Sequence, residues 1–229
     1  MQPEIRMTSQ SAQLSLSTHK VLRNTYMMLA LTMIPTVLGA MVGVNMNFAF
    51  MAGSPIMSSL IFLGVVYGLF FGIEKTKDSG MGVALLLLLT GFLGLMLGPI
   101  LQVALHLRNG GQLITMAAGG TGVIFLTLAG IASVTKKDFS FMGKFLMVGG
   151  ILFMVAVVAN IFLQLPVMSL TISAVAILLF SGFLLYHISS IIHGGETNYI
   201  SATLSVYMAM YNIFLSLLQL LMAFAGDRR

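Results

Sequence analysis

Two histidines and one glutamate are the residues of this 229-residue sequence best suited to proton chemistry. His187, His193 and Glu196 lie close together in sequence, and no Lys or Arg occurs between Lys144 and Arg228 to neutralise the carboxylate. Because an imidazole changes charge near neutral pH, these side chains could form a titratable gate or accept a proton.

The same stretch also fits a purely structural interpretation, in which it joins two helices. Gly194 and Gly195 can end a helix in the left-handed conformation. Glu196 and Thr197 would then begin the next helix, where a carboxylate or hydroxyl caps free amides at the positive end of the helix dipole. The sequence leaves both interpretations open.

A second set of polar residues follows one face of the last apolar segment. Its members are separated by 4, 7, 4 and 3 positions, which places them on one side of a helix; they are Ser201, Ser205, Asn212, Ser216 and Gln219. Asn160 and Gln164, at the end of the fifth apolar segment, are natural partners for this stripe. Because polar side chains are costly against lipid, we expect the stripe to face inward. It could hold helices together by hydrogen bonds or line a solvated pathway.

Other kinds of chemistry find no support in the residues present. The chain has no cysteine, no Ser-His-Asp set, no paired acidic site and no metal-ligand spacing. We therefore predict that the protein is not an enzyme and holds no metal or cofactor. Two groups of glycines, Gly94 with Gly98 and Gly119 with Gly120 and Gly122, lack the Lys-Ser/Thr of a phosphate loop. We interpret them as places where helices approach closely.

The elements that position these residues follow from composition. The chain is 58% hydrophobic and only 7% charged, with a mean hydropathy of +1.02, whereas soluble domains carry about 25% charged residues. We predict an all-α membrane protein. Its net charge of +5 comes from basic residues in short loops and tails, where they indicate topology rather than contact with nucleic acid.

Uncharged intervals long enough for a spanning helix of about 20 residues divide the chain into seven segments. The polar stretch near Pro55 and the break at Pro166 separate the longest intervals. The predicted spans are 25–45, 55–73, 81–104, 113–134, 142–164, 167–190 and 198–224. The runs are continuously apolar rather than alternating, so we predict a seven-helix bundle and no membrane barrel.

The distribution of Lys and Arg predicts the orientation. Eight basic residues fall on the side of the N-terminus and three on the other side, so the positive-inside rule places the N-terminus in the cytoplasm. We predict that 198–224 crosses fully, although a re-entrant segment would improve the charge bias. The resulting organisation is a mobile cytoplasmic tail and interface segment (1–24), a transmembrane domain (25–225) and a short C-terminal tail (226–229).

Four sequence blocks resemble the Bax inhibitor family, also called the transmembrane Bax inhibitor motif family. They are "STHKVLRNTY" (17–26), "GFLGLMLGPIL" (91–101), "ANIFLQLP" (159–166) and "IIHGGETNYISATLSVYMAMYNIF" (191–214). The resemblance runs from about residue 17 to the last helix, and the "HGGETNYI" block is typical of a bacterial inner-membrane branch. It implies seven helices, with the last one surrounded by the other six.

The resemblance to that branch also implies a partner. It implies that the protein binds and modulates FtsH, a membrane-bound ATP-dependent protease, alone or together with its membrane regulators, and is itself a substrate. The tail residues Glu4, Arg6, Gln10 and Gln13 are then where the protease would engage the chain.

Elsewhere in the family, the resemblance implies a pH-sensitive calcium leak gated by two acidic residues on the last two helices. By position these fall at His187 and Ala209, and neither is a carboxylate. A hard cation prefers several oxygen ligands, so a calcium site at these two positions would lack its ligands. A proton or cation leak that responds to His187 is therefore the alternative function.

Overall fold

The computed structural model describes the backbone of residues 3–48, 55–135 and 137–226, and the side chains of 18–48, 57–135 and 137–225. No strand lies in this part of the chain. The helices are α1 (Pro3–Asn45), α2 (Pro55–Thr76), α3 (Gly80–Met96), α4 (Gly98–Leu105), α5 (Gly110–Thr135), α6 (Met142–Leu163), α7 (Pro166–Ile192) and α8 (Tyr199–Gly226).

The prediction of seven membrane-spanning helices is confirmed. Seven helical segments are long and apolar enough to cross a membrane, and α3 and α4 together form the third one, Gly80–Leu105. That span was predicted as unbroken, but the structure interrupts it at Leu97. Pro99 follows the break; it has no amide hydrogen to continue the helical ladder, and it is well tolerated in the first turn of a new helix.

The last segment forms one uninterrupted helix. Helix α8 has 28 residues and is about 42 Å long at the usual helical rise. This length supports a full crossing rather than a segment that enters the membrane and returns.

Helix α8 lies in the centre of the bundle. It contacts α1, α2, α3, α5 and α7, whereas α6 packs along α7. The implied arrangement with six helices around the last one therefore needs a correction, because α6 is peripheral. Lipid can cover the remaining faces of α6, since nearly all of its outward side chains are apolar.

Helix α1 crosses α3 and α4 at unusually close range. A β-carbon added to Gly39 or Gly43 of α1, or to Gly94 or Gly98 of the facing helices, would collide with a backbone carbonyl across the contact. The interpretation of Gly94 and Gly98 as a close-packing pair is confirmed. Gly39 and Gly43, which were not predicted, have the same spacing and complete the contact.

The glycine group on α5 behaves differently. A β-carbon at Gly120 would lie 3.3 Å from Leu217 Cδ1, but nothing lies within 4 Å of one at Gly119 or Gly122. Only Gly120 therefore marks a close approach between helices, and the prediction for Gly119 and Gly122 is wrong.

The two ends of the bundle can be told apart by their loops. The connections after α2, α5 and α7 lie at the end where the first span begins, which we call the N-terminal face. At the opposite face, the Gln102 side-chain amide of α4 donates to the carbonyl oxygens of Gly43, Val44 and Met46, at 3.2, 3.0 and 2.8 Å. Gln102 thus satisfies free carbonyl groups at the end of α1.

Helix α1 extends well beyond the membrane on the N-terminal face. The helix runs from Pro3 to Asn45 and has 43 residues, which is about 64 Å at the usual rise, whereas the hydrocarbon core of a bilayer is about 30 Å thick. Residues 3–24 of this helix precede the predicted first span, 25–45. This part was predicted as a mobile tail, and its backbone is helical; its mobility stays a prediction. The side chains of Glu4, Arg6, Gln10 and Gln13 lie outside the described residues.

Candidate functional site

The loop between α7 and α8 is built around a left-handed glycine. Gly194 has φ of 75°, a conformation that glycine adopts without steric cost. The next two amides, of Gly195 and Glu196, both donate to the Ser190 carbonyl, at 2.8 and 3.2 Å. Gly194 and Gly195 were both predicted to end the helix. Among the described glycines, Gly194 alone has a positive φ.

Asn198 caps helix α8. Its side-chain oxygen accepts from the backbone amides of Ile200 at 2.8 Å and Ser201 at 3.2 Å, which is the usual N-cap arrangement. The predicted caps were Glu196 and Thr197, so the capping residue is corrected by one to two positions. The Glu196 carboxylate instead accepts from the backbone amide of Asn198 at 2.9 Å, and so holds the turn before the cap.

The same asparagine ties α8 to the loop between α2 and α3. Its side-chain nitrogen donates to the Lys77 carbonyl at 3.1 Å and to the Asp78 carboxylate at 2.8 Å. Two loops that are about 120 residues apart in sequence are thereby joined at the N-terminal face.

Lys77 supplies the positive charge that the local sequence around Glu196 lacks. It forms an ion pair with Glu74, and Glu74 also accepts a hydrogen bond of 3.4 Å from the Ser201 hydroxyl. The hydrogen bond to Glu74, together with the negative charges of Glu74, Glu196 and Asp78, raises the pKa of the Lys77 ammonium. Lys77 therefore stays protonated at neutral pH.

Ser189 anchors the connection between α5 and α6, because its hydroxyl accepts from the Phe139 amide at 2.9 Å. His193 supports Ser189: the His193 Nδ1 lies 2.8 Å from the Ser189 carbonyl oxygen and 3.3 Å from the Ser189 hydroxyl. Hydrogen bonds from Ser140, and to a smaller extent the charge of His193, lower the pKa of the exposed Asp138 carboxyl. Histidine, serine and loop together form a second fastening at the N-terminal face.

The three residues of the predicted titratable gate do not form one group. The His187 ring stacks on Phe183, with ring centroids 6.0 Å apart, and meets Tyr186 edge-on at 5.3 Å. Among the described residues, no hydrogen bond or ion pair joins His187 to His193 or Glu196. His193 and Glu196 fasten different loops, as described above.

The predicted polar stripe divides into two parts. Ser201 lies at the N-terminal face with Glu74, and Ser205 is half-buried one turn further along α8. The remaining members, Asn212, Ser216 and Gln219, line a groove of about 400 Å³ between α6 and α8, near the opposite face. We call this groove the polar groove.

Helices α6 and α7 complete the polar groove. Ser173 of α7 donates to Gln219 Oε1 at 2.7 Å. Asn160 of α6 lines the groove, and its buried Oδ1 has no hydrogen-bond partner among the described residues. Gln164 does not join it: this residue is exposed, ends α6 in the left-handed conformation and donates its backbone amide to the Asn160 carbonyl.

Two tyrosines at the centre of α8 make contacts that were not predicted from the sequence. The Tyr207 hydroxyl lies 2.8 Å from the Thr36 hydroxyl of α1, and the Tyr211 hydroxyl donates to the Leu93 carbonyl of α3 at 3.1 Å. Their spacing of four residues puts them on one helix face, but the sequence gives no sign that partners exist on α1 and α3. Asn198, in contrast, carried a usable signal as an N-cap residue type directly before an apolar segment.

The described residues contain no group of three His, Cys, Asp or Glu side chains that could hold a metal ion. The N-terminal face thus supplies fastenings between loops, and the polar groove supplies neutral hydrogen-bonding groups. At the N-terminal face the Ser189 hydroxyl lies 3.3 Å from Nδ1 of His193, and this hydroxyl also accepts from the Phe139 amide.

Comparison with known proteins decides the family. The family model described as "Inhibitor of apoptosis-promoting Bax1" matches residues 18–226. The chain belongs to the Bax inhibitor family.

Relatives within the Bax inhibitor family cover nearly the whole chain. "Modulator of FtsH protease YccA" of Escherichia coli strain K12 is 47% identical over 206 residues, which cover 90% of this chain and 91% of the relative. An uncharacterized protein of Neisseria meningitidis is 40% identical over 93% of this chain and 95% of its own. The Escherichia coli O6:H1 relative is named "Inner membrane protein YccA".

The two positions implied for the family's acidic pair have different surroundings here. Ala209 on α8 is 2% exposed and belongs to the apolar core around the last helix. His187 on α7 is half-buried against the rings of Phe183 and Tyr186. This Bax inhibitor family member therefore has an apolar residue and an aromatic-packed imidazole where carboxylates are implied.

Proposed function

We propose that this protein resides in the bacterial inner membrane and that it binds and modulates the FtsH protease. The observation that carries the proposal is the 47% identity to a relative named as a modulator of that protease, over 90% of this chain.

The long first helix supports this function. Helix α1 begins at Pro3, ahead of the predicted span 25–45, and an ATP-dependent protease needs such a segment to engage a membrane protein. The bundle behind it is held by the glycine contact between α1 and α3 and by the central α8. A chain that is easily engaged but resists extraction would occupy the protease, and we expect slow turnover of the protein itself.

The proposed orientation has the N-terminal face in the cytoplasm. Lys75, Lys77, Lys137 and Lys144 lie at or near this face, whereas Arg108 lies in the loop at the opposite face. This asymmetry follows the positive-inside rule, and it puts the start of α1 on the same side as a cytoplasmic protease.

Affinity purification from native bacterial membranes tests the proposal. Full-length protein is compared with a variant that lacks residues 1–16, and both are assayed for bound FtsH and for turnover. A matched control replaces residues 1–16 by a Gly/Ser segment of equal length. We expect FtsH to co-purify with the full-length protein, and both altered forms to be degraded more slowly. If FtsH is recovered with none of the forms, the proposed partner is wrong.

A proton or cation leak is the alternative function, and the polar groove is the observation that favours it. The groove could admit water from the opposite face as far as Asn212, but buried Val206, Tyr207 and Ala209 lie between Asn212 and Ser201. Conduction would require this apolar stretch to open. Flux measured in liposomes tests the alternative, which requires a pH-dependent leak that disappears in His187→Ala.

A further inference from the structure

A second groove lies on the other side of α8, between α1 and α5. Both helices pack against α8 but have no comparable contact with each other. The space between them has a volume of about 560 Å³, within the range of about 300–1,000 Å³ that is usual for small-molecule sites. Val37 and Met41 form one edge, Ala118 forms the other, and Met210 and Phe214 form the floor. We call it the apolar groove.

The polar atoms at the wall of the apolar groove are already paired. The Tyr207 hydroxyl is bonded to the Thr36 hydroxyl at 2.8 Å, and the Thr121 hydroxyl donates to the Ala117 carbonyl at 2.8 Å. The Tyr211 hydroxyl donates to the Leu93 carbonyl. An occupant therefore needs no hydrogen-bonding groups, and the groove is a poor site for water, which requires two to four polar partners.

The apolar groove opens sideways rather than into an aqueous loop region. Val37 and Met41 line it and are 56% and 63% exposed, although both belong to the spanning part of α1. Exposed side chains at that depth face the hydrocarbon of the bilayer. The occupant must therefore enter from the lipid phase.

The length of the apolar groove is close to the depth of one leaflet. Along α1 it runs from Met33 to Asn45, which is the end of the helix at the opposite face. Twelve residues correspond to about 18 Å at 1.5 Å per residue. The hydrocarbon core of a bilayer is about 30 Å thick, so one leaflet contributes about 15 Å. An extended hydrocarbon chain from the leaflet at the opposite face fits this geometry.

We propose that the apolar groove binds an acyl chain of a phospholipid from the leaflet at the opposite face, and that this chain reaches the central helix α8. The occupant follows from the lateral opening, the paired polar atoms and the one-leaflet length. The inference does not depend on binding of the protease, because it concerns only the purified protein in its bilayer.

A tryptophan reporter gives a direct test, since the chain contains no tryptophan. Phe214→Trp places a single indole on the floor of the apolar groove, and Met210→Trp is the second reporter if the first does not fold. The purified protein is reconstituted into phosphatidylcholine vesicles with or without bromine atoms on the acyl chains. Bromine quenches only an indole in contact with the acyl chain, so quenching measures occupancy of the groove.

Two further positions calibrate the reporter. Leu126→Trp on α5 reports full contact with lipid, because Leu126 is 69% exposed. Phe180→Trp on α7 reports a half-buried indole away from the groove, because the Phe180 ring lies between Phe153 and Phe183. We expect Phe214→Trp to show more than half of the quenching of Leu126→Trp, and clearly more than Phe180→Trp.

A filling variant tests whether the quenching comes from the groove itself. Gly122→Leu adds a side chain inside the groove, whereas Gly119→Leu adds the same side chain on the same helix where it does not line the groove. In the Phe214→Trp background we expect Gly122→Leu to abolish most of the quenching and Gly119→Leu to leave it unchanged.

Three results would overturn the proposal. Quenching of Phe214→Trp equal to that of Phe180→Trp would mean that the groove is closed to lipid. A red-shifted emission quenched by aqueous iodide would mean that it holds water. If Gly122→Leu and Gly119→Leu reduce the quenching equally, the acyl chain that quenches the indole lies outside the groove.

Discussion

Asn198 shows how much one residue can contribute at the N-terminal face. Its side-chain oxygen caps α8, and its side-chain nitrogen holds the loop between α2 and α3. Glu196, the more conspicuous residue in the sequence, supports this arrangement by accepting the Asn198 backbone amide. The carboxylate therefore has a structural partner in the loop as well as the nearby charge of Lys77.

We expect Asn198→Ala to destabilise the protein by at least the value of a helix cap, which is about 1 kcal/mol, because it also removes the two bonds to the loop between α2 and α3. Asn198→Ser keeps a capping oxygen but lacks the amide nitrogen, so it should lose less stability than Asn198→Ala. Thermal unfolding in detergent measures both. Equal stability of the alanine variant and the natural protein would contradict the proposed double role.

The pH dependence expected from Asp138 lies far from neutrality. Its lowered pKa means that the carboxylate stabilises the folded protein above the ordinary value of about 4 and that this contribution is lost as pH falls through the lowered value. Unfolding midpoints of the natural protein and of Asp138→Asn, measured from pH 5 to 3, should converge as pH falls. If the difference between the two unfolding midpoints widens as pH falls, the pKa of Asp138 is raised rather than lowered.

At the scale of whole helices, small residues mark which helices pack closely against each other and which do not. Helix α1 meets α3 and α4 through four glycines, whereas α6 has contacts mainly with α7. Association of helices in lipid depends on van der Waals packing and hydrogen bonds rather than on a hydrophobic driving force. The contact between α1 and α3 is therefore sensitive to a single added methyl group.

We expect Gly94→Ala to reduce stability strongly, by roughly the 1–3 kcal/mol of an overpacked core, because its β-carbon would collide with the Thr36 backbone. The matched control is Gly119→Ala on α5, where no atom lies within 4 Å of the new carbon and the change should be neutral or slightly stabilising. Unfolding of both variants in the same detergent gives the comparison. Similar midpoints for the two variants would show that the helices separate without penalty.

At the scale of the whole molecule, the two faces differ in charge and in how their loops are fastened. The N-terminal face joins three loops through Asn198 and Ser189, and most of the described basic residues lie there or nearby. The opposite face carries Arg108 and the mouth of the polar groove. This asymmetry is the basis of the proposed orientation.

Single cysteines can test the orientation, because the natural chain contains none. Thr197→Cys lies in the exposed loop at the N-terminal face, and Asn109→Cys lies in the exposed loop at the opposite face. With a membrane-impermeant maleimide, we expect Asn109→Cys to be labelled in spheroplasts and Thr197→Cys only in inverted vesicles. The reverse pattern would place the N-terminus outside and remove α1 from the reach of a cytoplasmic protease.

The number of membrane-spanning segments and their helical structure could be predicted from the sequence. Each span must satisfy its own backbone hydrogen bonds in lipid, and it therefore appears as a long apolar run. For the same reason the boundaries at Pro166 and near residue 198 could be predicted closely. The break at Leu97 was missed, although Pro99 was visible, because the surrounding run is continuously apolar.

What the sequence by itself determined is local: seven spans, a cap near the start of the last helix, a tight turn at Gly194, and the close-packing pair Gly94 and Gly98. What only the tertiary structure decided is which residues meet. It separated His187 from Glu196, joined the loop between α7 and α8 to the loop of Lys77 through Asn198, divided the polar stripe and opened two grooves beside α8. These outcomes depend on contacts between helices far apart in the chain, and nearly uniform apolar segments carry little information about which of their faces will touch.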